Sequence, residues 1–178
     1  MANAEHLARL QQGTAFWNEW REKQPEIQPD LRQASLRGAN LQGVNLAEAD
    51  LREANLYEAN LSQAKLNQAN LNSADLRNTN LEMADLTGAN FTSADLRKTN
   101  LQGANLTLSN LTVAFLRQAN LQGADLTGAK LQGVNLMGVK LMGAKLCKVN
   151  LQGVNLTGVE LTEVDLTGAI LPDGMILN

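Results

Sequence analysis

Residues 71–80 read LNSADLRNTN and residues 91–100 read FTSADLRKTN, so one pattern returns after 20 residues. A shorter period runs inside it. A large apolar residue recurs at every fifth position from Leu31 to Leu171, at 29 sites, and only Phe91 is not Leu. Two places before each stands a small residue, such as Ala39, Ala54 and Ala74 or later Val134 and Val154. One place before stands usually Asn or Asp, as in Asn40, Asp50 and Asn55.

A period of five matches neither the 3.6 of a helix nor the 2 of a strand. The backbone must therefore turn a corner in each repeat. Of the chain's 14 Gly, 12 fall two places after the large residue, where such a turn asks for positive φ. Asn and Asp one place before it can bond the nearby backbone, as Asx turns do. Lys65, Phe115, Lys130 and Ile170 break that preference, so the position faces at least partly outward.

Four five-residue sides make one 20-residue coil, with the large and small residues inside and the other three outside. Coils stacked at strand spacing rise about 4.8 Å each, so about seven coils predict a rod of roughly 34 Å. Each buried Leu contributes about 1.5–3 kcal/mol, and no coil can stand without its neighbours. Thr79 and Thr99 replace the small inner residue 20 positions apart, and their hydroxyls are expected to satisfy one another.

Residues 3–24 read as helix, capped by Asn3 and ended by Pro25 and Pro29. Gly13-Thr14 divides it in two, with Thr14 capping the second part. Phe16, Trp17 and Trp20 are expected to form a structural lid over the first coil, since a repeat array needs its open end covered. The chain thus divides into a helical cap and linker at 1–29, a repeat body at 30–171 and a tail at 172–178. In the tail, Met175, Ile176 and Leu177 either fold over the last coil or form a dimer seam.

The A-[N/D]-L-x-x pattern resembles the pentapeptide-repeat proteins over about four-fifths of the chain. The resemblance implies an all-β fold: a right-handed, quadrilateral parallel β-helix, here with a short N-terminal α-helical cap. The stretch Gly13-Thr14-Ala15-Phe16-Trp17-Asn18-Glu19-Trp20-Arg21 is similar to bacterial members, many of them cyanobacterial. Leu171-Pro172-Asp173-Gly174 is similar to the family's usual ending.

A chain of 178 residues with net charge −3 is most simply one domain without a basic nucleic-acid-binding surface. One Cys rules out an intrachain disulfide framework and fits a reducing compartment. No secretory leader and no bilayer-spanning apolar run is visible, so a soluble cytoplasmic protein without membrane contact is expected. The single His, His6, reads as a solvated cap residue, and Cys147 as an inert surface thiol. No Cys/His zinc cluster and no phosphate-binding glycine loop is present, and a Leu-filled rod leaves no room for a pocket. The expectation is a non-enzyme with no cofactor, no metal and no catalytic residues.

Function then falls to the outer faces. The 20-residue shift stacks Arg37, Tyr57, Arg77, Arg97, Arg117 and Met137 in one column, with Asp75 and Asp95 placed to offset part of the Arg charge. Leu108, Val113 and Phe115 are apolar at outward positions that elsewhere prefer polar residues or Gly. These three, with Arg117, Arg97 and Arg77, form the candidate partner-binding patch. The column Thr87, Thr107, Thr127, Cys147, Thr167 suggests water ordering of the ice-binding kind, but Cys147 interrupts it.

The leading reading is a rigid interaction module for an unidentified protein, either a monomer or a dimer through its C-terminal end. The family resemblance supplies an alternative, a DNA mimic acting on a type II topoisomerase such as gyrase. Residues 30–173 carry 14 Asp or Glu against 12 Lys or Arg, too balanced for a strongly acidic mimic, although Glu48, Asp50, Glu53 and Glu58 form a local acidic group. A structural spacer is the third reading.

Overall fold

Residues 1–177 are described by the structure, a computed structural model. Parallel bridges join the residue before each large one to its counterpart 20 positions on, from Asp30↔Asp50 to Asn150↔Ile170. Among the described residues, the Lys140–Glu160 rung is missing from this ladder. Each rung stands alone, because two turn residues separate it from the next side and no side is long enough for a continuous strand.

The hydrogen bonds show why the unit is five residues. Leu51 N–H donates to the Asn70 carbonyl at 2.8 Å and Glu53 N–H to Asn72 at 2.9 Å, both in the next coil. Asn55 N–H donates to the Ala34 carbonyl in the previous coil at 2.9 Å, and Ala54 N–H closes the turn onto Leu51 at 3.0 Å. The fifth donor, Arg52 N–H, is taken by the Asp50 side chain at 3.2 Å. All five backbone donors thus find partners, and the Asn or Asp supplies the acceptor that the backbone lacks. At the end of the array Pro172 occupies the same place as Arg52 and has no N–H to satisfy.

The residue two after the large one is left-handed whether or not it is Gly. Gly43 has φ 65°, and Lys98 has φ 60°. Among the described residues, all 16 non-Gly residues with positive φ stand at this position. A side chain there costs about 1–2 kcal/mol, which the coil-to-coil bonds on either side must offset.

The large and small residues fill the interior, and Phe91 is fully buried among Leu. The Thr pair differs from expectation. Thr79 and Thr99 are buried, but their hydroxyls donate to the Leu56 and Leu76 carbonyl oxygens, each at 2.7 Å, not to each other.

Two helices close the N-terminal end: α1 (Ala4–Gln11) and α2 (Thr14–Lys23). Asn3 caps α1, its Oδ1 accepting from the Glu5 and His6 N–H groups at 2.9 and 3.2 Å. The cap of α2 is Gly13, at φ 111°, and Thr14 is already helical, so Thr14 does not cap. Trp17 is fully buried, with the half-buried Trp20 ring 4.8 Å away, while Leu10 and Leu7 pack beside them. Phe16 is exposed, because the helix turn that aims Trp17 and Trp20 at the coil swings it to the outer edge.

The cap also completes the first coil's open edge. Trp17 Nε1 donates to the Asn45 carbonyl at 2.7 Å, and Asn18 Nδ2 to Gly43 at 3.0 Å. Asn18 Oδ1 accepts from Asn45 N–H at 2.8 Å, and Arg21 Nη2 donates to Ala47 at 3.2 Å. These side chains do for the first coil what a preceding coil does for the others. His6 is not merely solvated: its Nδ1 accepts from the Asp30 N–H at 2.9 Å.

The C-terminal end is covered on one side. Ile176 pairs antiparallel with Ile170, and Leu177 N–H donates to Ala169 at 3.0 Å. Away from that strip Leu161 is exposed, and Leu156, Val164 and Leu166 are only half-buried.

Candidate functional site

One side of the rod has Leu56, Leu76, Leu96 and Leu116 inside and the Arg column outside. Tyr57 lies between two guanidinium groups, with Arg37 5.0 Å and Arg77 5.3 Å from the ring centroid. Arg37 also approaches Glu58 at 3.8 Å. Below Tyr57, each Arg grips the Asp two residues before it: Arg77 Nη2 reaches Asp75 at 2.6 Å and Arg97 Nη2 reaches Asp95 at 2.5 Å. The hydrogen bond from Arg77 holds the Asp75 carboxyl below its ordinary pKa and raises that of Arg77 in turn.

At the next rung Phe115 stands in the Asp position. Toward the Asp95 coil the ladder is kept, with Phe115 N–H donating to Ala94 at 2.9 Å and its carbonyl accepting from Leu96 at 2.8 Å. The carboxylate is gone. The ring is 57% exposed. Among the described residues, neither the Arg117 amide N–H nor its guanidinium has an acceptor in the protein.

Two grooves meet at this point. One, of about 310 Å³, runs along Tyr57, Arg77, Arg97, Lys98, Arg117 and Gln118. The other, of about 250 Å³, is bounded by Arg97, Val113, Phe115, Arg117, Gly133 and Asn135. The structure therefore brings Val113, Phe115, Arg117 and Arg97 together, and places Arg77 in the first groove. Leu108 is not part of either. It sits at the neighbouring corner, where its Cδ2 lies 2.9 Å from where a Cβ on Gly128 would stand. Tyr57 already stood in the stacked column; Lys98 and Gln118, which follow Arg97 and Arg117 and lie 20 residues apart on this same side, were not singled out by sequence reasoning.

On the Thr column the side chains bond within their own repeats. The Thr87, Thr107 and Thr167 hydroxyls donate to Asp85, Asn105 and Asp165 at 2.6, 2.6 and 2.7 Å, which takes them from a water-ordering surface. Burial raises the Cys147 thiol pKa, helped by its contact with Asp165, so the thiol stays protonated at neutral pH. Among the described residues no group of three or more His, Cys, Asp or Glu could hold a metal ion. No helix there is long and apolar enough to cross a membrane.

A family model described as pentapeptide repeats matches in eight copies, over residues 30–68, 54–92, 69–107, 104–141 and 135–172. Among solved structures, the chain is similar to HetL, a pentapeptide repeat protein involved in heterocyst differentiation regulation from the cyanobacterium Nostoc sp. strain PCC 7120. The two are 34% identical over 82% of this chain and 81% of HetL, with a TM-score of 0.26. Rfr23, a pentapeptide repeat protein from the cyanobacterium Cyanothece 51142, is 29% identical over 90% of this chain and 97% of its own, with a TM-score of 0.30. Full-length QnrB1, a plasmid-mediated fluoroquinolone resistance protein, is 21% identical over 78% and 77%, with a TM-score of 0.40. Comparison with curated proteins finds no match. With the family model spanning most of the repeat body and the coil built from five-residue units, the chain belongs to the pentapeptide-repeat family.

Proposed function

We propose that this chain is a non-catalytic, rigid interaction module that docks a protein partner on the side bearing Arg97, Val113, Phe115 and Arg117. The body at 30–171 is a right-handed, four-sided β-helix of about seven coils, between the cap at 1–29 and the tail at 172–178, and it works in the cytoplasm of a bacterium. The observation that carries the reading is Phe115: an exposed aromatic ring in a row otherwise kept for Asp, Asn and Ser, with Arg117, unpaired among the described residues, beside it. An aromatic and an arginine side by side are what protein-binding surfaces concentrate.

The test is a pull-down from cyanobacterial extract, wild type beside Phe115→Asn/Arg117→Ala. A partner lost in the double variant supports the reading and its site. A partner retained equally moves the site elsewhere, and no partner favours a spacer. A gyrase supercoiling assay tests the mimic reading, which the acidic group supports weakly because Arg52 and Arg32 lie against Asp50 at 2.6 and 3.7 Å. Sedimentation separates a monomer from a dimer through the C-terminal end, where Leu161, Met175 and Ile176 are exposed.

A further inference from the structure

The surroundings of Asp95 define what the Phe115 rung lacks. Asp95 Oδ1 accepts from the Arg97 amide N–H at 3.2 Å and from Arg97 Nε at 2.8 Å, and Oδ2 accepts from Arg97 Nη2 at 2.5 Å. Arg77, one coil above, reaches the same carboxylate at 3.6 Å. On another side of the rod, Asp50 is held in the same way. Its donors are the Arg52 N–H at 3.2 Å, Nε at 2.9 Å and Nη2 at 2.6 Å, with Arg32 at 3.7 Å. The fold therefore builds a carboxylate seat twice from two stacked arginines and one amide N–H.

One rung beyond Asp95 the same donors recur. Arg97 stands above and Arg117 below, and the Arg117 amide N–H points from the same place in the repeat. The residue that should carry the carboxylate is Phe115. Among the described residues, no carboxylate of the chain reaches Arg117.

We propose that this seat takes a carboxylate from the partner. The ligand is a segment of a protein that carries Asp or Glu beside an aromatic or branched apolar residue. Its carboxylate faces Arg117 and Arg97, and its apolar side chain enters the groove along Phe115 and Val113. A planar guanidinium fork matches a carboxylate with two parallel bonds, and the adjacent ring shields them from water. The inference rests on the docking reading above and names the chemistry that the docking face selects.

The test is selection of a phage-displayed library of random dodecapeptides on the full chain, followed by titration of the recovered peptides as labelled synthetic probes. Expected peptides carry Asp or Glu next to an apolar residue. Arg117→Gln, or the amide version of the peptide, weakens binding by at least about tenfold, as loss of one half of a shielded charge pair does. Phe115→Asp restores the ordinary Asp–Arg rung, abolishes binding and does not lower the thermal melt. Inorganic phosphate competes no better than chloride of equal ionic strength. Peptides lost in Phe115→Asn but indifferent to Arg117→Gln, or displaced specifically by phosphate, would overturn the carboxylate while keeping the docking face. No enrichment over a Phe115→Asp control would overturn both.

Discussion

The Thr99 hydroxyl donates to the Leu76 carbonyl oxygen across 23 residues of chain, at 2.7 Å, in the buried interior. Ser109 is also buried at the inner small-residue position, yet its Oγ has no hydrogen-bond partner. The two positions should therefore respond in opposite directions. Thr99→Val keeps the shape, removes the bond and should cost about 1 kcal/mol. Ser109→Ala removes an unsatisfied buried hydroxyl and should stabilise by roughly 1 kcal/mol. Urea unfolding of both variants checks the pair, and a destabilising Ser109→Ala would mean that its hydroxyl is bonded in solution.

Stability should vary along the rod. Leu101 is fully buried, with coils on both sides, and Leu101→Ala should cost about 2–5 kcal/mol. Leu161 is already 37% exposed at the far end, so Leu161→Ala should cost about 1 kcal/mol or less. Equal losses would show that the C-terminal end is closed in solution.

Corner glycines should differ by what lies over them. At Gly43 an added Cβ meets nothing within 4 Å, so Gly43→Ala carries only the left-handed penalty, about 1–2 kcal/mol. At Gly133 the same Cβ would stand 2.9 Å from Val113 Cγ1, so Gly133→Ala should cost more. Val113→Ala should remove the excess, which a double-mutant cycle by thermal melt would reveal as non-additivity.

Acid should weaken the rod through its Asp–Arg rungs. The hydrogen bond from Arg32 holds the Asp30 carboxyl down to about 2, and Arg77 lowers Asp75. Both pKa values are depressed by folding, so the stabilisation is complete above the unfolded value of about 3.9 and is lost as pH falls below it. These pairs are partly exposed, so the effect should be modest. Melting temperature measured from pH 5 to pH 2 should fall less steeply for Asp30→Asn/Asp75→Asn than for wild type. An identical slope would remove these rungs from the acid response.

Much of this was legible because a five-residue period leaves the backbone little choice. Leu and Ala had to turn inward, and Asn and Asp had to serve the turn, once the spacing was counted. What escaped the sequence depended on direction within an element or on partners far along the chain. One step of helix rotation separates exposed Phe16 from buried Trp17. Asn18 and Arg21 look like ordinary helix polar residues until the unpaired edge at Gly43, Asn45 and Ala47 is in view. Leu108 and Val113 are five residues apart, yet a corner lies between them and only Val113 borders the Phe115 groove.

The hydrogen-bond unit is five residues while the coil closes on 20, and this separates the tolerance of the core from that of the surface. Loss of any one five-residue unit would leave the interior with the same kinds of neighbours and every donor with the same kind of acceptor. Outside, it would shift the phase of everything downstream by a quarter turn. Removing five residues between Arg97 and Arg117 would stack Arg117 under Thr92 and dismantle the arginine pair while the rod still folded. The interior is thus indifferent to a length change that the binding face reads as a frameshift.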